Sequence, residues 1–349
     1  MRQSSSRPGP ESVSRGFTLV ELLVVVAVIA LLIGLLLPAL SKARAGAYQA
    51  QGLSMQKQLV LGLISHGNSN DFAIPGINTT GRPLQGFASS DETRLNKSES
   101  LPTQGWDWMT PALAGEVNFP LGRAERMVHN FREYADPSMR EVFTAGQIDN
   151  GGEGAQGTDF QSMDQLVSAK GSIPAPSFLM PAHWQLLGGS TENPATPQSP
   201  IGQADPAKAC VELPIGYRPR IDKVGQGSSK VAIADGYLDV LETSAPVKID
   251  VGIFTTPTDR NFGAFCSEGA VRRDSKAYGE NAINQRLSFR HNNRMNAVFW
   301  DGHGDTLDND SSRNPGLWYP TGSTFKNSNA HPTSTASFGG GASFPRRIN

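Results

Sequence analysis

The apolar and polar positions divide this chain into one strongly patterned segment and a long, weakly patterned remainder. Residues 1–16 are polar, with Arg2, Arg7 and Arg15 set against Glu11. An apolar run follows from Phe17 to Leu40, and from Leu22 onward it carries no charge. At about 1.5 Å rise per residue, such a run is enough helix to cross most of a ~30 Å hydrocarbon layer. The Arg residues before it predict a cytoplasmic N-terminus, with the rest of the chain outside. Pro38 lacks an N–H and crowds the preceding turn, so a kink is expected there. Beyond Lys42 and Arg44, the residues Tyr48, Gly52, Met55, Leu59 and Leu63 recur at spacings of three and four, an amphipathic stripe. The pattern predicts one helix from Phe17 to about His66, with Gly67 as its C-terminal cap.

The remainder is harder to read. Residues 68–100 are polar and rich in turn formers, and Trp106–Met109 lead into a short helical stretch near Pro111–Ala114. Arg123–Tyr134 also reads as helix. Strand signals come late, at Lys230–Asp235, Val247–Phe254 and Met295–Trp300. The first and third end at Asp235-Gly236 and Asp301-Gly302, which predicts antiparallel strands joined by tight turns. Ser190–Pro206 reads as a loop. From Asp308 onward apolar anchors are few, and apart from Leu317–Tyr319 the tail is expected to be poorly ordered.

Composition narrows the function classes. The 349 residues hold 31 Lys and Arg against 32 Asp and Glu, a formal charge of -1, which argues against a nucleic-acid partner. The two cysteines, Cys210 and Cys266, form no C-x-x-C pair; one disulfide and two buried thiols are equally open readings. Patterns of zinc proteases, serine hydrolases and P-loop enzymes are absent. Gly152, Gly154 and Gly157 have dinucleotide-loop spacing but no preceding strand or following apolar helix. Ser288, His291 and Asp301 are close in sequence, but a triad is defined by geometry. The chain therefore reads as a non-enzyme that needs no cofactor.

One residue interrupts the apolar run. Glu21 lies one turn inside it, where a carboxylate facing lipid is costly and calls for a partner. A secretory signal, for which Ala43-Arg44-Ala45 is a weak cleavage match, does not account for Glu21, nor does a plain anchor. The stretch Gly16-Phe17-Thr18-Leu19-Val20-Glu21 resembles the processing site of type IV prepilins and type II secretion pseudopilins. That resemblance implies cleavage between Gly16 and Phe17 by a prepilin peptidase and methyltransferase, which also methylates Phe17. It makes Pro38 the twenty-second mature residue, where the family commonly has proline. It also implies that Glu21 neutralises the N-terminal amine of an adjacent subunit during assembly.

His291, followed by nine residues and Asp301-Gly302, resembles a C-terminal motif of prepilin-processed proteins similar to the major pseudopilin. One reading is structural: Gly302 supplies a positive-φ turn, and His291 bonds back to it to close a hairpin. Asp301, Asp305, Asp308 and Asp310 are also open to reading as a solvated acidic loop or as a calcium site, since calcium takes six to eight oxygens. The resemblance to the major pseudopilins of type II secretion, which use a calcium-bound loop in the head, implies the calcium reading.

Together these readings imply an α+β pilin-like fold, a long N-terminal helix on an antiparallel sheet head. The expected divisions are a leader at 1–16, a transmembrane and assembly segment at 17–40, a helical continuation at 41–66, a head at 67–310 containing the motif at 291–302, and a flexible tail at 311–349. The expected partners are the peptidase, other pilin or pseudopilin subunits and inner-membrane lipid. The alternative is a membrane-tethered extracytoplasmic binding domain exported with a prepilin-type signal.

Overall fold

The computed structural model describes residues 18–86, 98–139, 142–143, 148–149, 171–189, 210–238, 249–250, 264–266, 271, 285–326, 330–339 and 344–349. They fall into two compact units, residues 1–47 and 48–349.

Helix α1 runs from Leu19 to Ser69 and continues through Pro38. Every described residue up to Ala47 is exposed, including the whole apolar stretch. From Tyr48 onward one side of the helix is buried, through Gly52, Gln56, Leu59, Val60, Gly62, Leu63 and Gly67. The expected stripe is present with one change, in that buried Gln56 replaces half-buried Met55. Gly67 is not the cap. It lies inside the helix, where a Cβ would collide with Ile221. The chain instead leaves the helix through Asp71 and Phe72, whose φ angles are 51° and 57°. Phe72 N closes this end by donating to Gly67 O at 2.7 Å.

Two shorter helices follow, α2 (Met109–Leu113) and α3 (Arg123–Glu133). Asp107 caps α2, its Oδ1 accepting from Met109 N and Thr110 N at 3.0 and 3.1 Å. α2 meets α1 at Gly62, where a Cβ would strike the Ala112 carbonyl.

Among the described residues the central sheet has six strands: β1 (Phe178–Pro181), β2 (Val231–Leu238), β3 (Phe265–Cys266), β4 (Gln285–Leu287), β5 (Arg294–Phe299) and β6 (Gly304–Asp308). Their order is β6-β5-β2-β1-β3, with β4 also on β2. All pairings are antiparallel except β1 with β3. This is an α+β, pilin-like arrangement, a long N-terminal helix followed by antiparallel sheet. Asp235-Gly236 does not end a strand. It lies within β2, which continues because β1 pairs it on one side and β4 on the other.

The two faces of the sheet carry different cores. Leu59, Val60 and Leu63 of α1 pack with Trp108, Met109, Ile233, Val298 and Trp300 on one. On the other, Val231, Ala234, Met295, Ala297 and Phe299 pack under Trp318, Tyr319, Phe325 and Ile348. A register shift between Val298 and Phe299 skips Ala232. This bulge explains why Ala232 and Ile233 both join the first core. The described part of the tail is thus folded, contrary to its polar composition. Trp318, Tyr319 and Phe325 are fully buried, and Thr324–Phe325 pairs between Val211–Glu212 and Arg346–Arg347. Few anchors suffice because three of them are large aromatics.

Candidate functional site

Two sites emerge, one in each unit. The first is the start of α1. Gly16 and Phe17 lie outside the described residues. Thr18 precedes the helix, and its N and Oγ1 each donate to Glu21 Oε2 at 2.8 Å. Glu21 N approaches Thr18 Oγ1 at 3.3 Å. This reciprocal pattern is a capping box, and it supplies partners for helix-end donors that have none in the helix. The Thr-x-x-Glu spacing was available in the sequence as its signal. Within one chain, then, Glu21 has a local structural task, and its side chain is exposed at the head of an exposed apolar stretch.

The second site is a buried polar knot that ties α1 to the sheet. His291 lies in the turn between β4 and β5. Asn292 and Asn293 have φ angles of 53° and 61°, and His291 and Arg294 exchange backbone hydrogen bonds at 3.0 Å in each direction. Asparagine tolerates this left-handed backbone better than most residues, so the turn projects His291 inward. Its Nε2 lies 3.3 Å from Asp235 Oδ2 of β2 and 3.5 Å from Asp136 Oδ2, beyond the end of α3. All three side chains are buried.

Neutral donors surround the two carboxylates. Asp235 Oδ1 accepts from Gln56 Nε2 of α1, and Oδ2 accepts from Asn296 N of β5, both at 2.7 Å. Asp136 Oδ1 accepts from Ser138 N at 2.7 Å and Ser138 Oγ at 2.5 Å. Asn296 Nδ2 donates to Gln49 O of α1 at 3.0 Å. Arg290 flanks the cluster and donates to the carbonyls of Ser177 and Gly236 at 2.8 and 2.5 Å. Gly52 is the point of closest approach. A side chain there would overlap Asp136 Oδ2.

These surroundings separate the acidities of the group. Burial alone would lower the His291 pKa, but Asp136 and Asp235 outweigh it and hold the imidazole up to about 9. Burial raises the Asp235 carboxyl above its ordinary range. Asp136 is also opposed by burial, yet His291, Ser138 and Arg290 bring it below that range. Opposite charges out of water attract strongly, and breaking such a pair leaves a costly unpaired charge.

The remaining candidates are dispersed. His291 does not bond to the Asp301-Gly302 turn. The two occupy opposite ends of β5, a six-residue strand that spans about 20 Å. Gly302 does have positive φ, at 86°. Asp301 Oδ1 instead pairs with His303 Nδ1 at 2.5 Å in the β5–β6 turn. The four carboxylates of the calcium reading are divided by β6. Asp301 is at one end and Asp305 is exposed within the strand, while Asp308 caps helix α4 (Asn309–Ser312), which contains Asp310. Ser288 lies beside the cluster through its backbone, its N donating to Asp235 O at 3.0 Å, and Asp301 is at the far end of β5. Pro38 is internal to α1. Cys210 is buried in the second core, and the Cys266 side chain lies outside those described. Asp136, Asp235 and Gln56 went unnoticed as site residues in the sequence, since only the fold brings them to His291.

Residues 12–37 match the prokaryotic N-terminal methylation motif. Comparison with curated proteins finds no match, nor does comparison with solved structures. The matched motif is a prepilin-type N-terminal signal, of the kind that prepilin peptidase processes, and it covers the start of the chain. Helix α1 is long and apolar enough to cross a membrane, and together with the motif it supports membrane anchoring.

Proposed function

We propose that this protein is a structural subunit of the type IV pilin and pseudopilin kind, assembled through α1 into a pilus or a type II secretion pseudopilus. The observation that carries this reading is the methylation-motif match at residues 12–37, and Glu21 in the exposed apolar part of α1 agrees with it. The leader is cut between Gly16 and Phe17, and Phe17 is methylated. Arg2, Arg7 and Arg15 hold the leader in the cytoplasm, and the head is extracytoplasmic at the inner membrane. Exposed apolar side chains along Leu19–Leu40 suit lipid before assembly and neighbouring helices after it. Glu21 then meets the amine of an adjacent subunit, where a low dielectric strengthens the attraction.

Intact mass and N-terminal sequencing of the protein from membranes test this directly. A chain beginning at methylated Phe17, seen only where the peptidase is present, is the expected result. An uncut Met1 or a start near Gly46 would overturn it.

A further inference from the structure

We propose that Asp136, Asp235 and His291 form a binding site for one divalent metal ion of the zinc type. Each residue offers one ligand atom, and the three atoms lie within 4.8 Å of one another. The separations from His291 Nε2 are 3.3 Å to Asp235 Oδ2 and 3.5 Å to Asp136 Oδ2. A charge-assisted N–H···O bond is shorter, about 2.8 Å, and one N–H points along one line. Ligand atoms on a tetrahedral zinc, with bonds of about 2.1 Å, stand roughly 3.4 Å apart. Both separations from His291 are longer than such a bond and close to the spacing of ligands on a metal.

A second observation points into the same space. Asp136 Oδ2 and His291 Nε2 are buried and, beyond the 3.3–3.5 Å approaches within the cluster itself, make no hydrogen bond. Their neighbours are otherwise fully engaged, since Ser138 holds Asp136 Oδ1 and Asn296 N holds Asp235 Oδ2. Gln56 adds a third such atom. Its Nε2 is used on Asp235 Oδ1, while its Oε1 is buried without a partner. Buried polar atoms are nearly always satisfied, and unsatisfied ones grouped in one cluster are the exception that calls for a ligand.

One imidazole and two carboxylates suit zinc better than calcium, which needs six to eight oxygens. Gln56 and Asn296 orient the Asp235 carboxylate as supporting residues do in metal sites. Arg290 contributes one opposing positive charge and limits the affinity. On binding, the imidazole gives up its Nε2 proton to solvent and the freed lone pair takes the metal, so each zinc bound releases a proton.

Equilibrium dialysis of the full-length chain in detergent against zinc, followed by metal analysis, tests the proposal, with cobalt as a spectroscopic substitute. One zinc per chain is expected, and cobalt should give the intense visible bands of a tetrahedral site. Both should disappear in His291→Ala and Asp235→Asn, and affinity should fall about 10-fold in Gln56→Ala. His303→Ala removes the exposed imidazole beside Asp301 and should leave both signals intact. The wild-type result decides the matter even if a triad variant fails to fold. A wild-type chain that takes up no zinc, or a folded His291→Ala chain that keeps it, overturns the site and leaves the cluster as an ion pair.

Discussion

Gln56 Nε2 donates a 2.7 Å hydrogen bond to Asp235 Oδ1 across 179 positions of sequence, both side chains buried. This bond joins the second half of α1 to the central strand β2. Gln56→Leu keeps comparable volume but leaves a buried carboxylate oxygen bare, so it should cost about 1–3 kcal/mol. Gln56→Glu should cost more, because it sets a third carboxylate beside Asp235 and Asp136. Thermal melts of the full chain in one detergent check both. A Leu variant as stable as wild type would show that the bond does not hold the helix.

Gly52 and Gly46 make a matched pair on the same helix. A Cβ at Gly52 would overlap Asp136 Oδ2, whereas a Cβ at Gly46 meets nothing within 4 Å. Alanine favours an exposed helix over glycine by up to about 1 kcal/mol. Gly46→Ala should therefore raise stability slightly, while Gly52→Ala should lower it by about 1–3 kcal/mol through overpacking. Equal and favourable effects at both positions would mean that Asp136 moves aside at no cost.

How much of this was legible beforehand depended on how local each signal was. The exposed apolar stretch and Glu21 stand within one short segment, and lipid or neighbouring helices leave few alternatives to it. The buried stripe of α1 was readable in position but not in chemistry, since helical spacing allows Gln56 as readily as Met55. Asp235-Gly236 has the composition of a turn, yet strands on both sides of β2 override that preference. Asp136 carried no signal, because its meaning depends on His291 and Asp235, each far away in sequence. The tail misled for a related reason. Trp318, Tyr319, Phe325 and Ile348 are separated by polar residues, so no period marks the face they cover.

Lys230 gives the chain a pH signature independent of the knot. It is 1% exposed, and its Nζ donates to Gly316 O and Asn349 O at 2.8 and 3.2 Å. Burial pushes its pKa down from 10.5 to about 8. Between those values the unfolded chain binds more protons than the folded one, so this group makes stability rise with pH across that window. Lys230→Met removes the slope. The stability of the variant minus that of wild type should be largest below pH 8 and shrink by a few kcal/mol towards pH 10.5. Denaturant titrations at several pH values measure it, and a constant difference would contradict the burial argument.

Trp318 tests whether the tail is structural. It is fully buried, and its Nε1 donates to Ser312 O at 2.7 Å. Trp318→Ala leaves a large cavity against Met295, Ala297 and Phe299 of the sheet's second face. A loss of about 3–5 kcal/mol is expected. Limited proteolysis adds a second readout, with cleavage of the variant spreading from the tail into β5 and β6. An unchanged melting temperature would return the tail to the status of an appendage.

Glu21 offers the sharpest separation between local structure and assembly. Its carboxylate accepts from both Thr18 N and Thr18 Oγ1, so Glu21→Ala removes a helix cap and a charge together and cannot distinguish them. Glutamine can also close a capping box, and Glu21→Gln therefore keeps the cap while removing the charge. If Glu21 serves assembly by meeting the amine of a neighbouring subunit, Glu21→Gln should be cleaved and membrane-inserted like wild type. It should nevertheless be excluded from filaments when co-expressed with tagged wild-type chains. If the residue serves only the helix end, Glu21→Gln should assemble normally and Thr18→Ala should be the damaging change. Incorporation into sheared filaments, compared with total membrane content for each variant, reads the two outcomes apart. Normal incorporation of Glu21→Gln would remove the charge from the assembly mechanism while leaving processing at Gly16 untouched.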